Sequence, residues 1–393
     1  MKRLIDGAQP YMAALTATLE QDGAIRTRPW AKAFSSVPRH VFVPRWYAQE
    51  TNDRGIAVWR MQQVALDQDR LAEVYRDETL VTALDPDTAK KVDEWAWTGV
   101  ATSSSTVPSL MAGMLEDLCV QDGHRVLEVG TGTGYNAALL CARLGDQLVH
   151  SVDIDPALVR AARERLASIG YVPQLAAADG QLGYPDDYQF DRIIATCSVP
   201  RIPEAWIEQT RPGGFILTDL VTGIEGGLVR LSVDDDGAAR GGFTANSGRF
   251  MPARVSTTTY PRPEREPYAP ETDERPTTVT AADIRSHYPF RLLLGFTLPT
   301  AELVYHLDDD GTMAVQLQTP DGTWARTPVA EQPGGATVTY GGPPDLWEQV
   351  EAAWAWWNER GRPDQTLFGL TREAGGDMCV RFGPDGRCWE LGA

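Results

Sequence analysis

The stretch richest in chemistry is Arg125–Asp155, RVLEVGTGTGYNAALLCARLGDQLVHSVDID. Val126, Leu127 and Val129 form a short apolar run suited to a buried parallel strand. The run stops at Gly130-Thr131-Gly132-Thr133-Gly134. Tyr135–Leu144 then reads as an apolar helix, and Leu148–Val152 as a second strand ending in Asp153-Ile154. Glycines let a backbone pass close to a ligand. A carboxylate closing the second strand of a βαβ unit can take both ribose hydroxyls. A nucleoside-bearing ligand is expected at Gly130, Thr131, Gly132, Gly134, Asp153 and Ile154. The glycine triplet alone also fits a dinucleotide enzyme.

Three further features resemble the core of S-adenosylmethionine-dependent methyltransferases. Glu128 stands two residues before the first glycine, and Asp179-Gly180 falls where a third strand would end. Phe190–Ala195 leads to Arg211-Pro212-Gly213-Gly214-Phe215-Ile216-Leu217, a strand, a helix and a turn before another strand. The resemblance implies an α/β, Rossmann-like methyltransferase core with S-adenosyl-L-methionine as cofactor. Glu128 would then lie at the methionine end, Asp153 at the ribose and Asp179 with Gly180 at the adenine, with Thr196 also in the cofactor site.

The whole chain sets the bounds. At 393 residues it exceeds one ordinary domain. Its net charge of −18 argues against nucleic acid as the main partner; it would favour a basic peptide, but an acidic balance more often serves solubility alone. The five cysteines (Cys119, Cys141, Cys197, Cys379, Cys388) are scattered without a CxxC pair, so reduced thiols and a cytoplasmic location are expected. The five histidines share no metal-ligand spacing with cysteines or carboxylates, and no metal is expected. No signal-like segment opens the chain, and no apolar run reaches ~18 residues, so no membrane partner is expected.

The elements that position the loop divide into four stretches. Residues 1–75 read as an N-terminal helical segment, with a helix over Ala8–Gln21 and another after Arg28-Pro29 that stops at Val37 before Pro38. His40 reads as structural rather than as a base. Residues 76–260 read as the methyltransferase domain, 261–280 as a Pro-, Glu-, Arg- and Thr-rich linker, and 281–393 as an added α+β C-terminal domain for substrate recognition. At the boundary of the first two stretches, Tyr75-Arg76-Asp77 is followed by a linker and a Trp-rich stretch. A helix then runs from Pro108, preceded by the hydroxyls of Ser104, Ser105 and Thr106. Those hydroxyls read either as a plain cap or, with free N–H groups at the helix start, as an anion site for a substrate carboxylate.

From about Tyr75 to Val255 the chain resembles the protein-L-isoaspartate O-methyltransferase family. Tyr75-Arg76-Asp77, Thr106-Val107-Pro108 with Met111-Ala112-x-Met114, Val126–Tyr135, Ala178-Asp179-Gly180, and Thr196-Cys197-Ser198-Val199-Pro200 with Ile202-Pro203 carry the resemblance. Val37–Pro44 resembles the family's N-terminal region. The family's substrate-motif serine aligns with Thr106, which keeps the hydroxyl and adds a methyl, and Ser104 and Ser105 are the neighbouring substitutes. The segment between Asp77 and this motif also departs from the family.

The C-terminal stretch shows a hairpin, Leu303–Leu307 with Met313–Leu317 around Asp308–Gly311, and a strand at Thr337–Tyr340. A Trp-bearing helix follows at Asp345–Arg360, then strands at Phe368–Thr371 and Cys379–Phe382. Trp347, Trp354, Trp356 and Trp357 read as core. Long forms of this kind resemble methyltransferases that tailor ribosomally made peptides, lanthipeptides and graspetides. That resemblance implies methylation of an aspartate in a cyclised precursor peptide, the ester collapsing to an aspartimide that opens to isoaspartate. Repair of isoaspartate in damaged proteins is the alternative. A scaffold that binds S-adenosylmethionine without catalysis is another.

Overall fold

The computed structural model describes residues 2–51, 57–64, 70–256, 266–308, 311–330 and 334–391. Two compact units divide the chain. One takes residues 1–198, 203–218 and 250–260, the other 199–202, 219–249 and 261–393. Residues 219–249 therefore group with the C-terminal stretch and not with the residues before them.

In the first unit, α1 (Lys2–Gln21) buries Met12, Leu15 and Leu19. The helix α2 (Arg28–Ser36) ends at Val37 as Pro38 requires, and α3 (Arg39–Phe42) follows. The expected helical character of residues 1–75 stops there, apart from α4 (Leu71–Val74). Between them β1 (Arg45–Thr51) and β2 (Ala57–Gln63) pair antiparallel, with Tyr47 opposite Met61. The expected linker after Asp77 is also a sheet. It contains β3 (Leu80–Leu84), β4 (Lys90–Lys91), β5 (Ala96–Thr98) and β6 (Ala101–Ser105), in the order β4-β5-β2-β1-β3-β6. These strands carry Arg, Gln, Lys, Ser and Thr without clean alternation, so a period-2 pattern does not expose them.

After α5 (Pro108–Asp117) comes the expected βαβ unit: β7 (Val126–Val129), α6 (Tyr135–Leu144) and β8 (Val149–Asp153). It continues through α7 (Pro156–Ser168), β9 (Gln174–Ala177), β10 (Phe190–Val199), α8 (Glu204–Glu208) and β11 (Thr210–Val221). The order is β11-β10-β7-β8-β9, with β7 parallel to both β8 and β10 and β8 parallel to β9. β7 and β8 are buried at every position, including the polar Glu128, His150, Ser151 and Asp153.

The second unit holds two sheets. One orders β21-β20-β19-β13-β12, from β12 (Gly226–Val233), β13 (Ala239–Phe243), β19 (Phe368–Arg372), β20 (Met378–Phe382) and β21 (Cys388–Leu391). The other orders β14-β18-β17-β16-β15, from β14 (Glu271–Pro276), β15 (Glu302–Leu307), β16 (Met313–Gln318), β17 (Trp324–Pro328) and β18 (Thr337–Gly341). The expected linker thus contains a strand, β14, whose polar composition hides its pairing with β18. Its residues 261–265, and residues 309 and 310 of the expected hairpin turn, lie outside the described residues. The helices α9 (Ala281–Ser286), α10 (Tyr288–Thr297) and α11 (Asp345–Glu359) complete the unit. Trp347, Trp356 and Trp357 are buried, and Phe290 packs edge-on to Trp354 at 4.8 Å.

The expectation that all five cysteines are reduced fails for Cys379 and Cys388, which form a disulfide. Pairing of Arg381 with Cys388 and of Cys379 with Glu390 sets the two cysteines diagonally across β20 and β21, 6.3 Å apart at Cα. Their spacing in sequence does not reveal that register. Among the described residues, no helix is long and apolar enough to cross a membrane, and no group of His, Cys, Asp and Glu could hold a metal.

Candidate active site

The site is built in the first unit, at the carboxyl ends of the parallel strands. β7 ends in a loop whose glycines 130, 132 and 134 all take positive φ, a region that side chains rarely adopt. Space sets the rest. A Cβ on Gly130 would lie 2.6 Å from Thr196 Oγ1, and one on Gly134 3.0 Å from the Ala162 Cβ. A Cβ on Gly132 would still be 3.9 and 4.0 Å from the nearest atoms, the Ser104 carbonyl and the Ser103 hydroxyl. The glycine loop therefore faces β6 across a narrow gap, which brings the nucleotide loop and the substrate motif together.

Asp153 ends β8 at the rim of this gap. Its Oδ2 accepts the Gly132 N–H at 2.8 Å and its Oδ1 the Asp155 N–H at 3.0 Å. Each oxygen keeps a further lone pair for a ribose hydroxyl. Burial raises the Asp153 pKa above the usual carboxylate range, while these two N–H donors pull the other way. Asp179, after the adjacent β9, is half-buried and accepts the Gln181 N–H at 2.9 Å. Ile154 is half-buried beside Asp153. Gly180 is required by packing, since a Cβ there would meet Val129 Cγ1 at 2.5 Å. These residues and the open face of Gly132 fit a nucleoside with a ribose diol and an adenine.

Three of the expected cofactor-site residues also support the loop through internal hydrogen bonds. Glu128 is wholly buried. It accepts the Ser151 hydroxyl at 2.5 Å and the Asn136 amide at 2.8 Å. Burial pushes its pKa up to about 7 against the pull of those two hydrogen bonds. Thr131 lies 2.6 Å from the Ser151 hydroxyl and joins the same network. Thr196 donates to the carbonyls of Gly130 and Val129, at 2.8 and 3.2 Å, and so shapes the turn from below. The sequence marks these residues as part of the motif but not which way they point.

The substrate side is also sorted by orientation. On β6, Ser103 and Ser105 are buried, while Ser104 and the following Thr106 are half-buried. Ser105 is removed from the candidates because its hydroxyl lies against Arg39, at 3.3 Å from Nη2. Two N–H groups around the start of α5 already have partners. Asp77 accepts the Ser109 N–H at 2.7 Å, and the Thr79 hydroxyl accepts the Val107 N–H at 3.1 Å. The cap of this helix therefore comes from 32 residues upstream rather than from the adjacent hydroxyls. Ser104 and Thr106 remain as hydroxyls for a substrate.

Arg39 was not singled out by its residue type or spacing, yet it holds this side together. It is fully buried, and its guanidinium donates to the carbonyls of Val74, Arg76, Glu78 and Thr106 at 2.9 to 3.2 Å. Burial lowers its pKa from the usual arginine range. His40 next to it shares a 2.7 Å hydrogen bond with the Tyr75 hydroxyl and is buried, as a structural histidine should be. The only signal for Arg39 in the sequence is its place inside Val37–Pro44.

The profile of the family described as protein-L-isoaspartate(D-aspartate) O-methyltransferase matches residues 11–253. A protein-L-isoaspartate O-methyltransferase of Methanopyrus kandleri is 31% identical over 203 residues, covering 51% of this chain and 72% of the relative. One of Methanosarcina mazei is 35% identical over 134 residues, covering 34% of this chain and 55% of the relative. The chain thus spans little more than half the length of this second relative. A solved structure named protein-L-isoaspartate O-methyltransferase aligns over 94% of this chain and 98% of its own, with a TM-score of 0.51 and 21% identity. That likeness reaches into the C-terminal unit and concerns the fold alone. The chain belongs to the protein-L-isoaspartate (D-aspartate) O-methyltransferase family, a family of S-adenosylmethionine-dependent carboxyl methyltransferases that act on proteins or peptides.

Proposed function

We propose that this chain methylates the side-chain carboxylate of an isoaspartyl residue in a peptide or protein. The observation that carries the reading is that Gly132 of the nucleotide loop faces Ser104 of β6, with room even for a Cβ, which would lie 3.9 Å from the Ser104 carbonyl. When bound, S-adenosylmethionine supplies a methyl group on a sulfonium, open to in-line displacement. Asp153 would hold its ribose, Asp179 its adenine, and the Gly130–Gly134 loop would follow its methionine part. A carboxylate is already an anion at neutral pH, so no general base is needed. Ser104 and Thr106 would orient the accepting carboxylate through their hydroxyls, and Arg39 fixes the strand that carries them. The chemistry asked of the protein is orientation and exclusion of water.

A narrower reading is kept because of two departures from the family pattern. Thr106 stands where the family's motif has serine, and the segment after Asp77 is rewritten into β4 and β5. Thr106 lies on the acceptor side, and such changes would suit a shaped substrate, such as an aspartate in a macrocyclic ribosomal peptide. Its methyl ester would lose methanol to the next backbone nitrogen and give an aspartimide. The C-terminal unit does not favour this reading, since a family-named solved structure aligns along nearly all of this chain.

The test is mass spectrometry of two substrates with enzyme and S-adenosylmethionine. One is a linear isoaspartyl peptide, the other a macrocyclic peptide with an ordinary aspartate. Methylation of the linear peptide supports the main reading. Conversion of the macrocycle alone replaces it with tailoring. Turnover of neither, with S-adenosylmethionine bound, leaves a scaffold.

A further inference from the structure

The second unit carries a surface that the methyl-transfer reading does not use. β15 is the outer strand of its sheet, at the end of the order β14-β18-β17-β16-β15. Its register with β16 pairs Leu303 with Leu317, Tyr305 with Val315 and Leu307 with Met313. At the turn, Asp308 donates its N–H to the carbonyl of Thr312, which makes that facing pair a hydrogen-bonded one. Pairs alternate in an antiparallel ladder, so Val304 and His306 bond toward β16, while Leu303, Tyr305 and Leu307 turn their N–H and C=O groups outward.

Leu303 shows what this edge accepts, because its outward N–H already takes the carbonyl of Gly223 at 3.1 Å. Two residues further on, the side chains are exposed, with the Arg285 guanidinium 5.9 Å from the centre of the Tyr305 ring. Tyr305 is 57% exposed, Leu307 64% and Met313 49%. Leu307 and Met313 are a facing pair and Tyr305 is on the same face, so the three make one corner beside the open edge. Natural edges are usually blunted by charge, proline or a covering segment. Tyr305 and Leu307 are neither charged nor proline.

We propose that the outer edge of β15 at Tyr305 and Leu307 binds an extended peptide as an additional strand. Main-chain hydrogen bonds at these two residues would give the pairing, and the Tyr305–Leu307–Met313 corner would take an apolar side chain at alternate positions. The remaining positions of the peptide are basic. From Pro261 onward the chain carries 21 acidic against 11 basic residues, and this excess draws cations to the unit. The site is independent of the methyl-transfer reading.

The experiment uses the full chain and fluorescence anisotropy of a labelled decapeptide of alternating valine and lysine. Two controls are the same peptide N-methylated at every residue and a version with glutamate for lysine. The expected result is saturable binding of the first, weakened at least 10-fold in both controls. Leu307→Pro removes an outward N–H without touching the ladder and should weaken binding at least 10-fold. Tyr305→Ala should weaken it several-fold, and it decides the matter if Leu307→Pro does not fold. Hydrogen exchange at the Leu307 amide should slow when peptide is added. Failure of the valine–lysine peptide to bind overturns the proposal. So does equal binding of the N-methylated peptide, or unchanged affinity in the variants. A wild-type dimer in sedimentation that Leu307→Pro dissociates would assign the edge to a second copy of the chain and overturn it as well.

Discussion

The Arg39 guanidinium donates to the carbonyl of Thr106 at 3.2 Å, from 67 residues earlier in the chain. The same side chain holds the carbonyls of Val74, Arg76 and Glu78, so one buried cation fixes both stretches that flank the acceptor side. Removing it leaves several buried carbonyls without donors, each costing about 1–3 kcal/mol. Arg39→Ala should lower stability by roughly 3 kcal/mol or more and abolish methyl transfer. Arg39→Lys keeps the charge but not the planar fork of donors, and should retain the fold with reduced turnover. Urea unfolding beside a methyl-transfer assay reads both.

Glu128 and His150 sit on neighbouring strands, on residues that follow each other in the β7–β8 register, and they respond to pH in opposite senses. Burial raises the Glu128 pKa to about 7, so the folded state holds a proton there that the unfolded chain loses near pH 4.5. Its contribution therefore falls as pH rises from 4.5 to 7, by about 3 kcal/mol in total. His150 is enclosed by Tyr184, Tyr188 and Phe190, and burial lowers its pKa to about 4. The unfolded chain takes up a proton there first, so this contribution is complete above pH 6.5 and is lost as pH falls toward 4. The two slopes oppose each other between pH 4.5 and 6.5. Glu128→Gln should raise the melting temperature above wild type at pH 8 and leave the acid loss in place. His150→Phe should do the reverse, with its gain at pH 5. Melting curves across pH 4.5–8 that are parallel for all three proteins would contradict both assignments.

The nucleotide half of the site was legible because its chemistry is local. Glycines 130, 132 and 134, Asp153 and Asp179 lie at strand ends that apolar runs announce. The direction of a side chain was not legible. Glu128 and Thr196 belong to the motif yet point into the protein, and Ser105 differs from Ser104 only by strand parity. Long-range partners were hidden for a further reason. The cap of α5 comes from Asp77, the brace of β6 from Arg39, and the disulfide from a hairpin register, and no spacing in the chain encodes these pairings. The six-stranded sheet was hidden because its longer strands β1 and β2 mix polar and apolar residues without alternation and β4 and β5 are only two and three residues long.

Asp77 offers a separate test of the acceptor side. Its carboxylate caps α5 through the Ser109 N–H and so places the Thr106–Pro108 turn. Asp77→Ala should cost about 1 kcal/mol of stability, the usual loss of a helix cap. It should lower kcat/KM for an isoaspartyl peptide about 10-fold through misplacement of Thr106. Affinity for S-adenosylhomocysteine should be unchanged, since the glycine loop does not depend on this cap. A matching loss of cofactor affinity would show that Asp77 supports the whole site and not one side of it.

Asp153 carries the sharpest claim about the cofactor. Its two oxygens already accept the Gly132 and Asp155 N–H groups, so it both shapes the loop and faces the gap. These roles separate under substitution. Asp153→Asn keeps one oxygen acceptor and most of the shape but loses the charge, and a ribose diol loses one of its two acceptors. Asp153→Ala loses both acceptors and frees the Gly132 N–H. Affinity for S-adenosylhomocysteine by calorimetry should fall about 10-fold in Asp153→Asn and further in Asp153→Ala. The product analogue lacking its ribose hydroxyls supplies the control. It should bind wild type weakly and lose little more in either variant, because the contact removed is one it cannot make. If the dideoxy analogue loses affinity as steeply as the parent, Asp153 acts through the loop alone. Wild-type affinity in Asp153→Ala would remove it from the ribose site altogether.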